Sequence, residues 1–367
     1  MSAKPVPPPA SPSVLHPAEQ RRALYTAELA QGTDRFHGPR REDCPWCGST
    51  RLRTRLRAPD LLQGKPGTFA VDECGDCAHA FQNPRLTAEG LAFYHRGLHE
   101  GHPDEVAVLA ERALGAHGRR RHLRATARAM LPFPEPESWL DVGTGHAHFP
   151  ETANELFPYT SFDGLDPTPR VARAREAGRV EEAYVGHLSI PEITTRLRAR
   201  YDVVSVLHHL THVPYPREEL RAALTALRPG GHLLLELPDP RSAFATLLGK
   251  WWLPYGQPRH LHLIPLSNLR TELESQGCTI VTTDRRAAHV PRDLAGAMAL
   301  ALTRALPTPD APWRAVPPGE FRCRLRTALL KTSAPLVAAA AALDHTLAPL
   351  LRHTRFANTY RVIARRN

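Results

Sequence analysis

No stretch of this sequence reaches the ~18 consecutive apolar residues that a membrane-spanning helix requires, and no apolar segment follows Met1 as in a secretory leader. Neither a membrane span nor a secreted protein is expected, and a cytoplasmic protein is the simplest account. Cysteine is sparse, six in 367 residues. Four of the six form two C-x-x-C pairs, Cys44/Cys47 and Cys74/Cys77, which in an intracellular chain points to metal rather than to disulfides. Acidic residues are the minority charge, 37 against 47 Lys and Arg, a net +10. That excess admits an acidic or nucleic-acid partner, but arginine scattered over a solvated surface is the preferred account. Hydrophobic residues, 42% of the chain, suffice for a sizeable core, and the length allows one to three domains.

The chain is organised around Ser138–Phe149. Trp139 to Val142 reads as a short buried strand, Gly143 and Gly145 as a tight turn, and His148 to Phe157 as the helix behind it. Glycine lets such a turn approach a ligand closely, because it has no Cβ and tolerates positive φ. Dinucleotides and S-adenosylmethionine both use a strand, glycine turn and helix of this kind. The third glycine of the dinucleotide pattern G-x-G-x-x-G is missing, since His146, Ala147 and His148 follow Gly145. Asp141 would repel a pyrophosphate but could pair with an ammonium group. Asp166 closes the next strand, over 160–165, where a carboxylate can accept from both hydroxyls of a ribose or, more plainly, cap a helix.

Short apolar runs alternate with helical stretches from there on. Strands are expected over 139–142, 160–165, 183–185, 201–207, 232–237, 277–281 and 360–364, with a helix over 218–227 and another capped by Ser267. That alternation is the signature of a doubly wound parallel sheet. An insertion at about 287–354 is helical in composition over 294–306 and 321–351. It could cap the substrate side, mediate a homodimer or touch a membrane surface, although Lys331 and Asp344 argue against a span.

Upstream, residues 1–40 form a proline-rich tail with one helix over 18–31, and 41–97 form a small module. Its two C-x-x-C knuckles supply the four thiolates of a closed, structural zinc site, with strands over 51–57 and 68–72 between them. A redox dithiol is the alternative, but it would need only one pair. His79 is expected beside the site, and Thr87 is expected to cap a helix over 88–96. Residues 98–136 read as a helical linker, with a helix over 104–130 carrying Arg119, Arg120, Arg121, Arg124 and Arg128. The last unit is 137–367.

Asp141-Val-Gly-Thr-Gly145, with Ala147 in place of a final glycine, resembles motif I of the class I S-adenosylmethionine-dependent methyltransferases, D-x-G-x-G-x-G. Asp166-Pro-Thr-Pro-Arg resembles their motif II. Residues 201–216 resemble the strand-four segment H-V-L-E-H-x-x-D-P: His208, Leu210, His212 and Pro216 match, while Thr211 and Tyr215 replace its two acids. Arg228-Pro-Gly-Gly231 is similar to K-P-G-G, and 258–269 to a segment in which a histidine precedes the helix before strand six. The knuckles followed by Asn83-Pro84-Arg85 resemble a bacterial set with an N-terminal zinc module.

The resemblance implies a Rossmann-like, doubly wound, seven-stranded sheet with its last strand antiparallel. It also implies S-adenosylmethionine as cofactor, held by Asp141, Gly143, Gly145, Asp166 and Gly186, and Zn2+ on Cys44, Cys47, Cys74 and Cys77. The expected reaction is methyl transfer to a small molecule, a sugar or natural-product intermediate. RNA is the second acceptor, and a non-catalytic zinc-ribbon protein with a degenerate domain (Ala147, Thr211) the third reading. His208, His212 and His260 are the candidate bases, His208 first because it ends strand four. A structural histidine is the alternative for each.

Overall fold

The computed structural model describes residues 17–96 and 118–367. The prolines before 17 and the 104–117 part of the linker helix lie outside the described residues.

The core of the molecule is a seven-stranded sheet whose central strands are buried because helices cover both faces, while the edge strand Cys278–Asp284 is largely exposed. Its members are β4 (Ser138–Val142), β5 (Ser161–Asp166), β6 (Ala183–Val185), β7 (Tyr201–Leu207), β8 (Leu227–Pro238), β10 (Cys278–Asp284) and β11 (Thr359–Arg366). Their order is β10-β11-β8-β7-β4-β5-β6. β11 runs antiparallel to both neighbours, and the other pairings are parallel. This is the expected Rossmann-like sheet. The side-chain alternation of β4 divides the core. Trp139 packs with Phe149, Phe157 and Phe162 on one face, while Leu140 and Val142 join Leu165, Val204 and Leu233 on the other.

A second, four-stranded sheet has the order β1-β2-β3-β9. The hairpin β1 (Leu52–Pro59) and β2 (Thr68–Cys74) and the short β3 (Ala80–Gln82) come from the cysteine-bearing stretch; β9 (His262–Leu263) comes from the segment before the sixth strand of the large sheet. β3 and β9 pair antiparallel through Ala80↔Leu263 and Phe81↔His262. Phe81, Cys44, Trp46 and Cys74 share a core with the large sheet. Thr87 caps α2 (Ala88–His95) as expected, its Oγ1 accepting from the Gly90 amide at 3.1 Å.

Of the other helices, α1 spans Pro17–Ala30 and α3 is seen over 118–128. α4 (His148–Ala153), α5 (Arg170–Glu176), α6 (Pro191–Arg196) and α7 (Pro216–Ala226) connect the parallel strands, and α8 (Ala243–Leu247) follows β8. Ser267 does not cap its helix. α9 (Leu266–Ser275) begins two residues before a Ser267 cap would put it, with Pro265 at the cap, whose ring already holds φ at −62°.

The insertion folds as α10 (Asp293–Ala305) and α11 (Glu320–Leu351). Asp344 of α11 is buried and accepts from the Leu294 and Ala295 amides at the start of α10. α11 is long and apolar enough to cross a membrane by length and composition, and only 17% of its most apolar window is buried. Asp344, one of the two charges read as arguing against a span, faces its neighbouring helix rather than solvent.

Candidate active site and cysteine cluster

Asp141 and Asp166 lie at the carboxyl ends of adjacent parallel strands on the same face of the sheet. Asp141 is paired with Gly164 across the ladder, and Asp166 lies two residues beyond Gly164, an even step along a strand. The indole Nε1–H of Trp139 donates to Ser205 Oγ at 2.9 Å, and that hydroxyl donates to Asp141 Oδ1 at 2.5 Å. Burial pushes the Asp141 carboxyl up to about 6 against the pull of the Ser205 hydrogen bond.

Asp166 Oδ2 accepts from the Gly145 amide at 2.9 Å, and Oδ1 accepts from the Thr168 amide at 2.9 Å and from its hydroxyl. The amides of Gly143 and Thr144 donate to Leu165 O. The glycine turn is thus tied to the end of β5. Asp166 Oδ1 is saturated by its two bonds, whereas Asp166 Oδ2 and the Asp141 carboxylate keep further lone pairs, so the acceptor set suits a sugar hydroxyl together with a cation.

The two turn glycines have different reasons. Both have positive φ, 75° and 56°. A Cβ on Gly143 would lie 2.5 Å from the His209 ring, so there the turn makes room for the chain's own side chain. On Gly145 the nearest atom would be an Arg170 nitrogen at 3.6 Å, which leaves that side open. At Gly186 a Cβ would strike Ile193 at 2.7 Å, a packing reason for that glycine.

The three candidate histidines line one cavity of about 210 Å³ at the ends of β7 and β8, with Thr211, Leu253, Arg292, Asp293, Asn358 and Thr359. All three are half-buried. Burial lowers His208 to about 4, His260 to about 3, and His212 well below the usual imidazole range. A carbonyl can only accept, so the contact of His212 Nδ1 with Arg259 O (3.1 Å) and of His260 Nδ1 with Pro254 O fix both rings as Nδ1–H tautomers. Each Nε2 therefore carries a lone pair. The two rings stand 4.6 Å apart.

His208 differs: it sits in a left-handed conformation at φ 59° and its ring lies beside His122 and Glu236. Burial disfavours charge on Glu236, but His122 at 3.1 Å and then the Arg361 guanidinium hold it down at about 2.

Local pattern gave no sign of His209, Arg292 or Glu236. His209 is buried against Gly143, 3.6 Å from Glu219, and its Nε2 has no hydrogen-bond partner. With His187 and Glu219 it forms a cluster whose ligand atoms lie within 4.8 Å of one another.

The four cysteines of the two knuckles also converge, their sulfurs all within 4.8 Å of one another. Cys44 and Cys77 Sγ are 3.7 Å apart, and Cys47 and Cys74 Sγ 3.5 Å. Both are far beyond a disulfide at ~2.05 Å, and close to the ~3.8 Å between corners of a tetrahedron with ~2.3 Å metal–sulfur bonds. In each knuckle an amide points at the first sulfur, Trp46 N at Cys44 (3.3 Å) and Asp76 N at Cys74 (3.4 Å). His79 is outside the cluster: it is buried between Trp46 and Phe81, with Nε2 3.1 Å from His262 Nδ1.

The family profile described as "Methyltransferase domain" matches residues 114–283. The ubiquinone biosynthesis O-methyltransferase of Idiomarina loihiensis is 31% identical over 187 residues, 46% of this chain and 76% of that protein. The enzyme of the same name from Xanthomonas axonopodis is 27% identical over 174 residues, covering 45% and 73%. A methyltransferase structure from Archaeoglobus fulgidus aligns at 16% identity and a TM-score of 0.43, over 71% of this chain and 98% of that one. With its glycine turn, paired strand-end acids and strand order, the chain belongs to the S-adenosylmethionine-dependent methyltransferases.

Proposed function

We propose that the protein methylates a hydroxyl of a small molecule, a sugar or natural-product intermediate, within the histidine-lined cavity. The observation that carries this reading is the pair of Nε2 lone pairs, on His212 and His260, in a single cavity at the carboxyl ends of β7 and β8. Ligands of open α/β sheets bind at that edge. The relatives' name, O-methyltransferase, fits a hydroxyl nucleophile.

In this reading Asp166 accepts from a ribose hydroxyl of the cofactor, Asp141 faces its ammonium, and the turn at Gly143–Gly145 lies along it. S-adenosylmethionine, when bound, supplies a sulfonium methyl open to in-line attack. What the chain contributes is alignment and proton removal. His260 or His212 takes the hydroxyl proton on Nε2, while its Nδ1–H remains on a backbone carbonyl that fixes the ring. His208, held beside Glu236 and His122, shapes the wall. Gly186 is left with its packing role. Cys44, Cys47, Cys74 and Cys77 hold a structural Zn2+, whose four thiolates leave no open position.

RNA is the weaker reading. Arg120 and Arg124 of α3 are both paired with Glu155, at 2.5 and 3.1 Å, so part of the arginine row is engaged within the protein.

The test is mass-spectrometric detection of methyl transfer to a panel of hydroxylated sugars and phenols, beside an RNA control, with wild type, His212→Ala and His260→Ala. Transfer to small hydroxyl compounds that collapses in one of the histidine variants supports the reading. Methylation of RNA alone, or full rates in both variants, defeats it. A protein that gives no heat with S-adenosylmethionine would be the degenerate, non-catalytic alternative.

A further inference from the structure

One charge on the cavity wall has no use in the chemistry just proposed. Arg292, immediately before α10, is half-buried and lines the cavity with His208, His212 and His260. Among the described residues its guanidinium makes no hydrogen bond or ion pair. The adjacent acid is committed elsewhere: Asp293 Oδ1 accepts from Trp252 Nε1 at 2.7 Å and Oδ2 from Asn358 Nδ2. Burial also raises the Asp293 carboxyl to about 7, so it is only partly ionised near neutral pH. The first amides of α10 are already taken by Asp344, which leaves the guanidinium as the free donor group at this end of the helix. Burial is the main cause that disfavours the charged form of Arg292; the partly ionised Asp293 opposes it only in part, and Arg119 nearby adds to it.

A desolvated cation without a counter-charge is costly unless a ligand supplies one. The guanidinium fork matches a carboxylate or a phosphate in two parallel hydrogen bonds. The field of Arg292 also holds His208 and His260 below their ordinary range, after burial as the main cause. An anion on Arg292 would relax that field and make His260 a better proton acceptor.

We infer that Arg292 binds an anionic group of the acceptor, a carboxylate or a phosphate ester, close to the hydroxyl that is methylated. The acceptors are then small hydroxy acids or phosphorylated sugars and alcohols, since the cavity is about 210 Å³, below the ~300 Å³ at which drug-sized ligand pockets begin. This inference rests on the cavity being the acceptor site.

The test is calorimetry of the full chain loaded with S-adenosylhomocysteine, using three probes: inorganic phosphate, 4-hydroxybenzoate and its neutral counterpart 4-hydroxybenzamide. Wild type, Arg292→Lys and Arg292→Gln are compared, and S-adenosylhomocysteine binding is measured first in each as a check on folding. Phosphate and 4-hydroxybenzoate distinguish the two anion chemistries. At least one should bind wild type, roughly 10–100-fold weaker in Arg292→Gln, with Arg292→Lys between because it keeps charge but loses the fork; the amide should not discriminate among the three. Anion binding that is unchanged in Arg292→Gln, or no binding of either anion to a wild type that does bind S-adenosylhomocysteine, overturns the inference. If wild type binds no S-adenosylhomocysteine yet shows Arg292-dependent anion binding, the methyltransferase reading fails and the anion site stands.

Discussion

Replacing Asp141 with asparagine should stabilise the ligand-free protein at neutral pH while weakening its hold on S-adenosylmethionine. Asp141 is 3% exposed, and burial raises its carboxyl from 3.8 to about 6. A folded-state value above the unfolded one means that the folded protein holds this proton more tightly. The group's favourable contribution is therefore complete below about pH 3.8 and is lost as pH rises to about 6. The difference of ~2 units corresponds to about 3 kcal/mol of destabilisation at pH 7. Asparagine keeps the shape, and its amide oxygen still accepts from Ser205 Oγ, but it carries no buried charge. The variant should gain up to ~3 kcal/mol at pH 7, and the gain should shrink towards zero near pH 4. Urea unfolding of both proteins between pH 4 and 7.5, followed by tryptophan fluorescence, measures this. Calorimetry with S-adenosylmethionine measures the loss of the ammonium's counter-charge. A stability difference that does not change with pH, or a variant less stable at pH 7, would refute the reasoning.

Metal analysis of the purified protein should find one zinc per chain, and Cys74→Ser should remove most of it. Zinc-free protein with full activity would exclude a structural ion. Because His260 is held near pH 3 by burial, kcat should show no acid limb in the 6–7 range of a free histidine, and His260→Ala should lower kcat by ~10²–10⁴-fold if that ring is the base. An ordinary limb near 6.5 that disappears in His260→Ala would contradict the burial argument. Gly143→Ala should cost about 1–3 kcal/mol through left-handed strain and the clash with His209. His209→Ala in the same chain should restore part of it, and a thermal melt in which the double variant is no better than the single one would show that the ring is not the obstacle.

Much of the sheet was readable from local pattern. Strands 183–185 and 201–207 fall where the apolar runs put them; Asp166 closes its run, and Asp141 sits one residue before the end of β4. The spacing of the knuckles likewise anticipated four converging sulfurs. What escaped depends on contacts distant in sequence. The two-residue β9 is too short to have a period of its own and exists as a strand because β3 lies beside it. His209 carries no local signal, since its meaning comes from the missing Cβ of Gly143. Arg292 reads as one more surface arginine until the fold brings it beside three histidines, and Asp344 as a solvated interruption until α10 is found against it.

The pairing of β3 with β9 means that the cysteine module is not an appendage. The stretch from 258 to 263 is clasped on both sides, the Gln82 amide donating to Leu261 O at 2.9 Å and the Leu261 amide donating to Thr211 O at 2.7 Å. His260 sits inside that clasp. If His260 is the base proposed above, slackening the hairpin, by chelation or by oxidation of the thiols, would let that base drift even though it is not itself part of the cysteine module. Its first symptom would be slower turnover with the nucleoside still tightly held.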